Sequence, residues 1–195
     1  MRAIHLVAVD SGVALGPPGA PRAALTAGAL LAELGPDLER AFGVPCLVAP
    51  EALDASFAFD PIRNQHHSTA ILRRLADGSY PADGRVLGVT ELDLFVPILT
   101  FVFGEAQLEG RCALVSVHRL REEFYGLPPQ PALLRERLLK EAVHEIGHTF
   151  GLRHCLQWDC VMASTHAVER LDLKGSAFCA SCAAAVQAES ARKPP

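Results

Sequence analysis

Apolar residues recur at strand and helix spacings through the first half of the chain. Residues 3–9 are mostly apolar and end at a polar residue, which predicts a first β-strand. A helix is predicted over Ala23–Phe42, because its apolar residues repeat every three or four positions, and Gly35-Pro36 is expected to kink or split it. A short strand is predicted at Val44–Ala49. A second helix is predicted after residue 67, with one apolar face formed by Ile71, Leu72 and Leu75.

The second half of the chain continues this alternation. Arg85–Thr90 has the pattern of a strand, and Phe101–Ala106 and Ala113–Val117 look like two strands joined by a turn at Glu109-Gly110. A long helix follows a proline-rich loop, and the tail after Ala183 is expected to be frayed. The predicted fold class is therefore α/β (or α+β), with a sheet of four or five strands backed by helices.

Length and charge narrow the functional classes. A chain of 195 residues is the size of one domain, which we expect to divide into an N-terminal subdomain (1–150) and a C-terminal subdomain (151–195). The net charge of −4 and the lack of a basic stretch argue against a nucleic-acid partner. No apolar run approaches the roughly 20 residues that cross a bilayer, and the N-terminus lacks the long apolar core of a secretory signal. The sequence predicts a cytoplasmic protein, most simply a monomer, whose thiols stay reduced.

Three histidines on and after the predicted helix Pro131–Phe150 carry the strongest chemical signal. His144 and His148 are one helical turn apart, so both can bind one ion, and Gly151 ends the helix so that the chain can return with His154. Three neutral imidazoles leave the fourth position of a tetrahedral zinc open for water, as in catalytic zinc sites. Glu145 lies beside the first histidine, where a carboxylate can accept a proton from that water. The spacing His-Glu-x-x-His-x-x-Gly-x-x-His predicts a hydrolytic zinc centre.

Four cysteines follow directly after the third histidine. Cys155, Cys160, Cys179 and Cys182 have the spacing Cys-x(4)-Cys-x(18)-Cys-x(2)-Cys, which is typical of a closed structural zinc site. Two disulfides, or a redox pair at the last two cysteines, are the alternatives. In a reducing compartment the pattern favours zinc, which would stabilise a C-terminal segment too poor in apolar residues to form its own core.

The histidine motif is that of the metzincin clan of zinc peptidases, and Met162 matches the methionine that these proteins carry in a turn beneath the metal. With the cysteines included, the chain resembles the archaemetzincin family over most of residues 3–182. Three upstream stretches, Gly88–Asp93, Phe101–Ala106 and Ser116–Leu120, also look like that family. The residues that match its metal motifs are His144, Glu145, His148, Gly151, His154, Cys155, Cys160, Met162, Cys179 and Cys182.

The resemblance implies a compact metzincin-like domain with a mixed sheet, a cleft over the catalytic zinc and a second zinc nearby. It implies two zinc ions per chain and a peptide or protein substrate. Residues 101–106 would form the sheet edge along the cleft, where an extended peptide could add as a strand. Some other metzincins have a tyrosine two residues after the methionine; this chain has Ser164 there.

Three functions fit these features. The leading one is peptide-bond hydrolysis with Glu145 as general base and then acid. A catalytically silent, zinc-stabilised binding module is the second, although a purely structural site needs no base. A zinc endoribonuclease is the third, since one bacterial family shares the histidine spacing, but that family lacks the glutamate and the cysteines.

The remaining histidines, cysteines and acidic residues carry weaker signals. His118 and His166 are candidates to approach the cleft, and Glu105 is a candidate to contact substrate. Cys46 and Cys112 flank apolar strand-like runs and are expected to be buried thiols.

Overall fold

A computed structural model describes residues 1, 3–12 and 27–191, and the chain forms a mixed sheet with helices on both faces. In their spatial order across the sheet, the strands are Cys46–Val48 (β2), Ile4–Asp10 (β1), Arg85–Thr90 (β6), Cys112–Ser116 (β9) and Gly104–Ala106 (β8). All neighbours are parallel except β8 and β9, which are antiparallel. The path of five strands agrees with the predicted sheet, and β8 lies at its edge.

Short strands extend this framework. β3 (Leu53–Asp54) pairs with the end of β1, so the main sheet has six strands among the described residues. A second, three-stranded sheet was not predicted; it consists of β4 (Phe59–Asp60), β5 (Gln65–His67) and β7 (Leu94–Phe95). These strands of two or three residues are too short to show an alternating pattern in the sequence.

Helices cover both faces of the main sheet. Helices α1 (Ala27–Phe42) and α3 (Pro131–Thr149) lie on one face and α2 (Ser68–Ala76) on the other, followed along the chain by α4 (Val168–Leu173) and α5 (Ala180–Ala191). Alternate residues of each strand face opposite layers: Leu87 packs with α1 and α3, whereas Val86 packs with α2. Burial on both faces explains why the central strands are apolar throughout.

Two features of the helices differ from what the sequence predicts. A kink or a split was expected at Gly35-Pro36, and of the two the split is wrong, because helix α1 runs as one element through Pro36. Proline removes the hydrogen bond to the carbonyl of Ala32, but the leucine stripe of α1 is buried on the sheet and compensates for that loss. The predicted start at Ala23 lies outside the described residues. The tail after Ala183 is helical to residue 191 rather than frayed, because Val186 packs into the main core.

The β8–β9 connection places the sheet edge against the end of α3. The predicted turn is present: Gly110 N–H donates to the Gln107 carbonyl (2.9 Å), and Glu109 adopts a left-handed φ of 59°. Glu109 N–H donates to the carbonyl of His148 at 3.1 Å, so the turn covers the C-terminal end of α3. Residues 101–103, which were predicted as strand, lie outside the regular strands of the described chain. Val102 forms a single bridge with Leu94, and the Phe103 carbonyl accepts a hydrogen bond from Ser116 N–H at 2.7 Å.

Candidate metal centre and cleft

Helix α3 carries the first two histidines and the glutamate at its C-terminal end. It begins at Pro131, as predicted, and its last turns are buried against the sheet, so His144 and Glu145 are nearly inaccessible. Gly151 follows with a φ of 82°, and its N–H donates to the His148 carbonyl at 2.9 Å. This left-handed residue turns the chain back and brings the exposed His154 to the other two rings.

The three imidazoles converge on one point. Their ring centroids are 4.7, 5.3 and 5.2 Å apart in the pairs 144–148, 144–154 and 148–154. One nitrogen of each lies within 4.8 Å of the others. The structure therefore brings His144, His148 and His154 together as the spacing predicts.

Backbone carbonyls fix the orientation of two of these rings. His144 Nδ1 donates to the carbonyl of Val161 at 2.8 Å, and His148 Nδ1 donates to the carbonyl of Leu152 at 2.7 Å. A carbonyl can only accept, so the proton of each neutral ring is on Nδ1 and Nε2 carries a lone pair. The two Nε2 atoms are 3.1 Å apart. Two lone pairs at this distance repel each other unless a cation lies between them.

The donor set fits zinc. Two nitrogens about 2.0–2.1 Å from one tetrahedral ion would be about 3.3–3.4 Å apart, close to the distance between the two Nε2 atoms. Burial lowers the pKa of His144 well below its ordinary value of 6.5, and it also lowers the pKa values of His148 and His154. The rings are therefore neutral near pH 7, as ligation requires.

Glu145 lies between α3 and the edge strand. A Cβ atom added to Gly104 of β8 would be 2.7 Å from Cγ of Glu145, so the strand backbone contacts this side chain directly. Burial raises the pKa of Glu145 well above its ordinary value of 4.5, and the negative charge of Glu141 adds to the rise while Lys174 opposes it. A carboxyl group whose pKa is raised in this way is suited to proton transfer near neutral pH.

A buried ion pair lies behind the histidines and was not predicted. Lys174 Nζ donates to Glu141 Oε1 at 3.1 Å, with side-chain exposures of 1% and 4%. Glu141 is one helical turn before Glu145, and its helical spacing could have identified it as a cleft residue. Nothing in the sequence identifies Lys174 as its partner.

A cleft of about 840 Å³ opens over this centre. One wall carries the three histidines with Glu141 and Glu145. Another is formed by residues 99–106, which end in the edge strand β8; the resemblance implied that residues 101–106 line the cleft as a sheet edge, and of these only Gly104–Ala106 are strand. His166 and Ser164 also line the cleft, with Ser164 Oγ 3.4 Å from His166 Nε2. His118 does not line it; its Nδ1 is 3.2 Å from the Glu91 carbonyl oxygen.

Glu105 also lines the cleft, but its carboxylate is already engaged. It accepts hydrogen bonds from the hydroxyls of Ser68 and Thr69 at the start of α2. These hydrogen bonds connect β8 to α2, which lies on the face of the sheet opposite to α3. Of the two lone cysteines, Cys112 is buried as expected and Cys46 is half-buried.

The four clustered cysteines meet in a second group of donors. Their sulfur atoms all lie within 4.8 Å of one another, and all six cysteines of the chain are free thiols. Cys155 Sγ and Cys179 Sγ are 3.8 Å apart, which matches the edge of about 3.8 Å between thiolates bound to one tetrahedral zinc at about 2.3 Å. Hydrogen bonds from the Ser181 hydroxyl and the Cys182 backbone lower the pKa of Cys179 to about 6, whereas burial raises the pKa values of Cys160 and Cys182 in the absence of a metal. The group suits zinc better than the disulfide alternatives.

Met162 links the two donor groups. Its side chain is fully buried, and a Cβ atom added to Gly147 of α3 would be 2.5 Å from its sulfur. Its carbonyl accepts a hydrogen bond from the Cys155 N–H at 2.9 Å. The methionine thus packs directly against the histidine helix and holds the first cysteine.

Solved structures define the class of this fold and site. The chain superposes on archaemetzincin from Methanopyrus kandleri with a TM-score of 0.80, at 33% identity, covering 98% of this chain and 96% of that one. A zinc-dependent peptidase from Methanocorpusculum labreanum gives a TM-score of 0.74 at 32% identity, with 94% and 99% covered. The class is that of zinc-dependent peptidases.

Sequence comparison gives the family. The profile of Peptidase family M54 matches residues 58–188. The archaemetzincin of Methanocaldococcus jannaschii is 45% identical over 141 residues, which are 72% of this chain and 76% of that protein. The archaemetzincin of Archaeoglobus fulgidus is 38% identical over 154 residues, with 79% and 89% covered. The chain therefore belongs to peptidase family M54, the archaemetzincins, and is a zinc metallopeptidase. The resemblance to the archaemetzincins is confirmed. A peptidase acts on peptide or protein substrates.

Among the described residues, no helix has both the length and the apolar character needed to cross a membrane.

Proposed function

We propose that this chain hydrolyses peptide bonds with a zinc ion held by His144, His148 and His154 and with Glu145 as general base. One observation carries the proposal: two Nε2 lone pairs face each other at 3.1 Å, with the third ring and a buried carboxyl group beside them. A purely structural zinc site would need the facing lone pairs but would not need a buried glutamate beside them.

The side chains divide the chemistry between them. When bound, zinc supplies a Lewis acid that lowers the pKa of an attacking water and polarises the scissile carbonyl. Glu145 accepts the proton of that water and returns it to the leaving amine, so the same carboxyl group acts as base and then as acid. Glu145 would be favoured in its carboxylate form by a cation held by the three rings, which would offset the effect of burial on its pKa. The carbonyls of Val161 and Leu152 hold two of the rings in the tautomer that ligation requires.

The edge strand provides a means of binding substrate. Within the part of the chain that the structure describes, strand β8 pairs with β9 on one side only, so its other side can accept an extended peptide by strand addition. Gly104 contacts Glu145, so a peptide along this edge would pass next to the base.

We propose that Cys155, Cys160, Cys179 and Cys182 bind a second zinc ion with a structural role. The closeness of the four sulfur atoms and the 3.8 Å contact support this. The two ions would be bound within a single domain, residues 1–195, in which the parts 1–150 and 151–195 share one core that includes Ile146, Leu171 and Val186. Both donor sets are complete within one chain, which supports a monomer, and six free thiols fit a reducing compartment such as the cytoplasm.

A digest of a peptide library tests the proposal. Wild type and Glu145→Ala are compared on the same library, with zinc measured in both proteins. We expect wild type to cleave peptides and the cleavage rate of Glu145→Ala to be lower by roughly 100-fold to 10,000-fold. The zinc contents of the two proteins should be equal, because Glu145 is not needed as a ligand. His148→Ala differs in that zinc and activity should fall together. Comparable cleavage by Glu145→Ala would reject the assigned base, and a wild type that cleaves nothing would favour a binding module.

A further inference from the structure

Phe101 lies where the apolar wall of the cleft meets a half-buried guanidinium, that of Arg119. Its ring lines the cleft, and the guanidinium of Arg119 lies 4.3 Å from the ring centroid. The ring of Phe124 lies 4.7 Å from the same guanidinium but does not line the cleft. The arginine therefore contacts two aromatic rings, of which only one faces the substrate space.

The guanidinium itself is held in place. Arg119 Nε and one terminal nitrogen each donate to a different oxygen of Asp93, both at 2.7 Å. This bidentate pair fixes the plane of the guanidinium. Gln65 Nε2 also donates to Asp93, at 3.0 Å, so the carboxylate is held from two sides.

The backbone just before Phe101 is fixed by the same elements. Arg63 donates to the carbonyls of Leu99 (2.6 Å) and Thr100 (3.2 Å), and Gln65 Nε2 donates to the Thr100 carbonyl at 3.0 Å. A segment without regular strand pairing is thus held by side chains from β5 and the turn before it. The ring of Phe101 has a defined position before any substrate arrives.

The position of Phe101 fits a substrate side chain near the scissile bond. Phe101 is three residues before Gly104, so the Cα atoms of these two residues are at most about 11 Å apart. Gly104 in turn contacts Glu145. An extended peptide advances about 3.3 Å per residue, so a residue two or three positions from the scissile bond can reach the ring. Leu99 and Val102 beside it are also apolar and line the same wall.

We propose that Phe101 is a specificity-determining residue that selects a bulky apolar side chain two or three residues from the scissile bond, and that Arg119 and Asp93 are positioning residues for it. This rests on the proposed peptidase function and adds the substrate preference of the same site.

The test compares cleavage profiles of wild type, Phe101→Ala, Phe101→Leu and Phe124→Ala on a peptide library that varies each position separately. In wild type, one position should favour bulky apolar residues. Phe101→Ala should lower kcat/KM for those peptides by roughly 10-fold to 100-fold, while peptides with alanine at that position change little. Phe101→Leu, which keeps apolar bulk and guards against misfolding, should retain aliphatic and lose aromatic preference. Phe124→Ala removes the other ring on the same arginine and should leave the profile unchanged.

Arg119→Lys separates positioning from a purely structural role. Lysine keeps the charge but loses the planar contact and the bidentate bond, so KM for the apolar peptides should rise while kcat is retained. Identical profiles for wild type and both Phe101 variants would overturn the inference and leave the peptidase proposal intact. If wild type cleaves no peptide, the peptidase proposal fails and this inference fails with it.

Discussion

Gly104 and Glu145 are in contact across the gap between the edge strand and the histidine helix. A Cβ atom at Gly104 would lie 2.7 Å from Cγ and 2.9 Å from Cδ of Glu145, and 2.7 Å from the carbonyl oxygen of Leu114. The backbone carbonyl cannot move aside without breaking the β8–β9 pairing. Only glycine leaves the carboxyl group where it is.

Gly104→Ala should therefore impair catalysis without removing metal. The added methyl group must displace Glu145 or the strand, and a misplacement of about 1 Å can cost roughly 100-fold in rate. Activity on the best library peptide and zinc content are the measurements. Gly28→Ala is the matched control, because a Cβ there meets nothing within 4 Å. Equal activity in Gly104→Ala and wild type would show that this contact does not position the base.

The buried pair Glu141–Lys174 should matter for stability. Lys174→Met leaves a buried carboxylate without its partner, which typically costs about 3–5 kcal/mol in free energy of unfolding. Urea denaturation measures the loss. Replacing both residues with apolar ones should recover much of it. Arg135→Ala breaks an exposed pair with Glu33 and should cost less than about 1 kcal/mol. A similar small loss for Lys174→Met would mean that the buried pair contributes little.

Protonation of the metal-free histidines should occur only in acid. Burial lowers the pKa values of His144, His148 and His154 below 6.5, with His144 lowered the most strongly. As pH falls through 6.5 the unfolded chain takes up these protons first, so the histidine contribution to stability is full above pH 6.5. It is lost as pH falls through the folded-state pKa values. NMR titration of the apo protein, with the urea-unfolded chain as reference, measures this. Any of the three titrating above 6.5 in the folded state contradicts it.

Purified protein should contain two zinc ions per chain, and Cys179→Ser should lower the number to one. Denaturation with a chelator and no reductant should release six titratable thiols in wild type, whereas two disulfides would leave two. Cys46→Ser, outside both donor groups, should keep both ions. Hydrogen exchange should show α5 opening well before α3 in Cys179→Ser, since zinc is the proposed anchor of that segment. Two zinc ions retained in Cys179→Ser would remove this cysteine from the ligand set.

The site residues that could be predicted from the sequence are those whose positions depend on neighbouring residues in the chain. His144, His148 and His154 lie on one helix and its exit, so helical periodicity and one glycine define their geometry. Residues brought in by tertiary packing left no such signal. Lys174 reaches Glu141 from a different part of the chain, and Arg119 reaches Phe101 from the segment that follows β9. Helix α1 continues through Pro36 without a split for a related reason, because burial of the α1 leucines outweighs the local cost of a proline.

His154 and Cys155 are consecutive, so the two proposed ions are bound by adjacent residues of one short segment. Binding of either ion restricts the backbone that the other ion needs in place. The conformational entropy of ordering this segment is lost once, on the first binding event, and the second ion binds to a chain that is already arranged. The two zinc affinities should therefore show positive cooperativity, and by linkage each ion should raise the affinity for the other by the same factor.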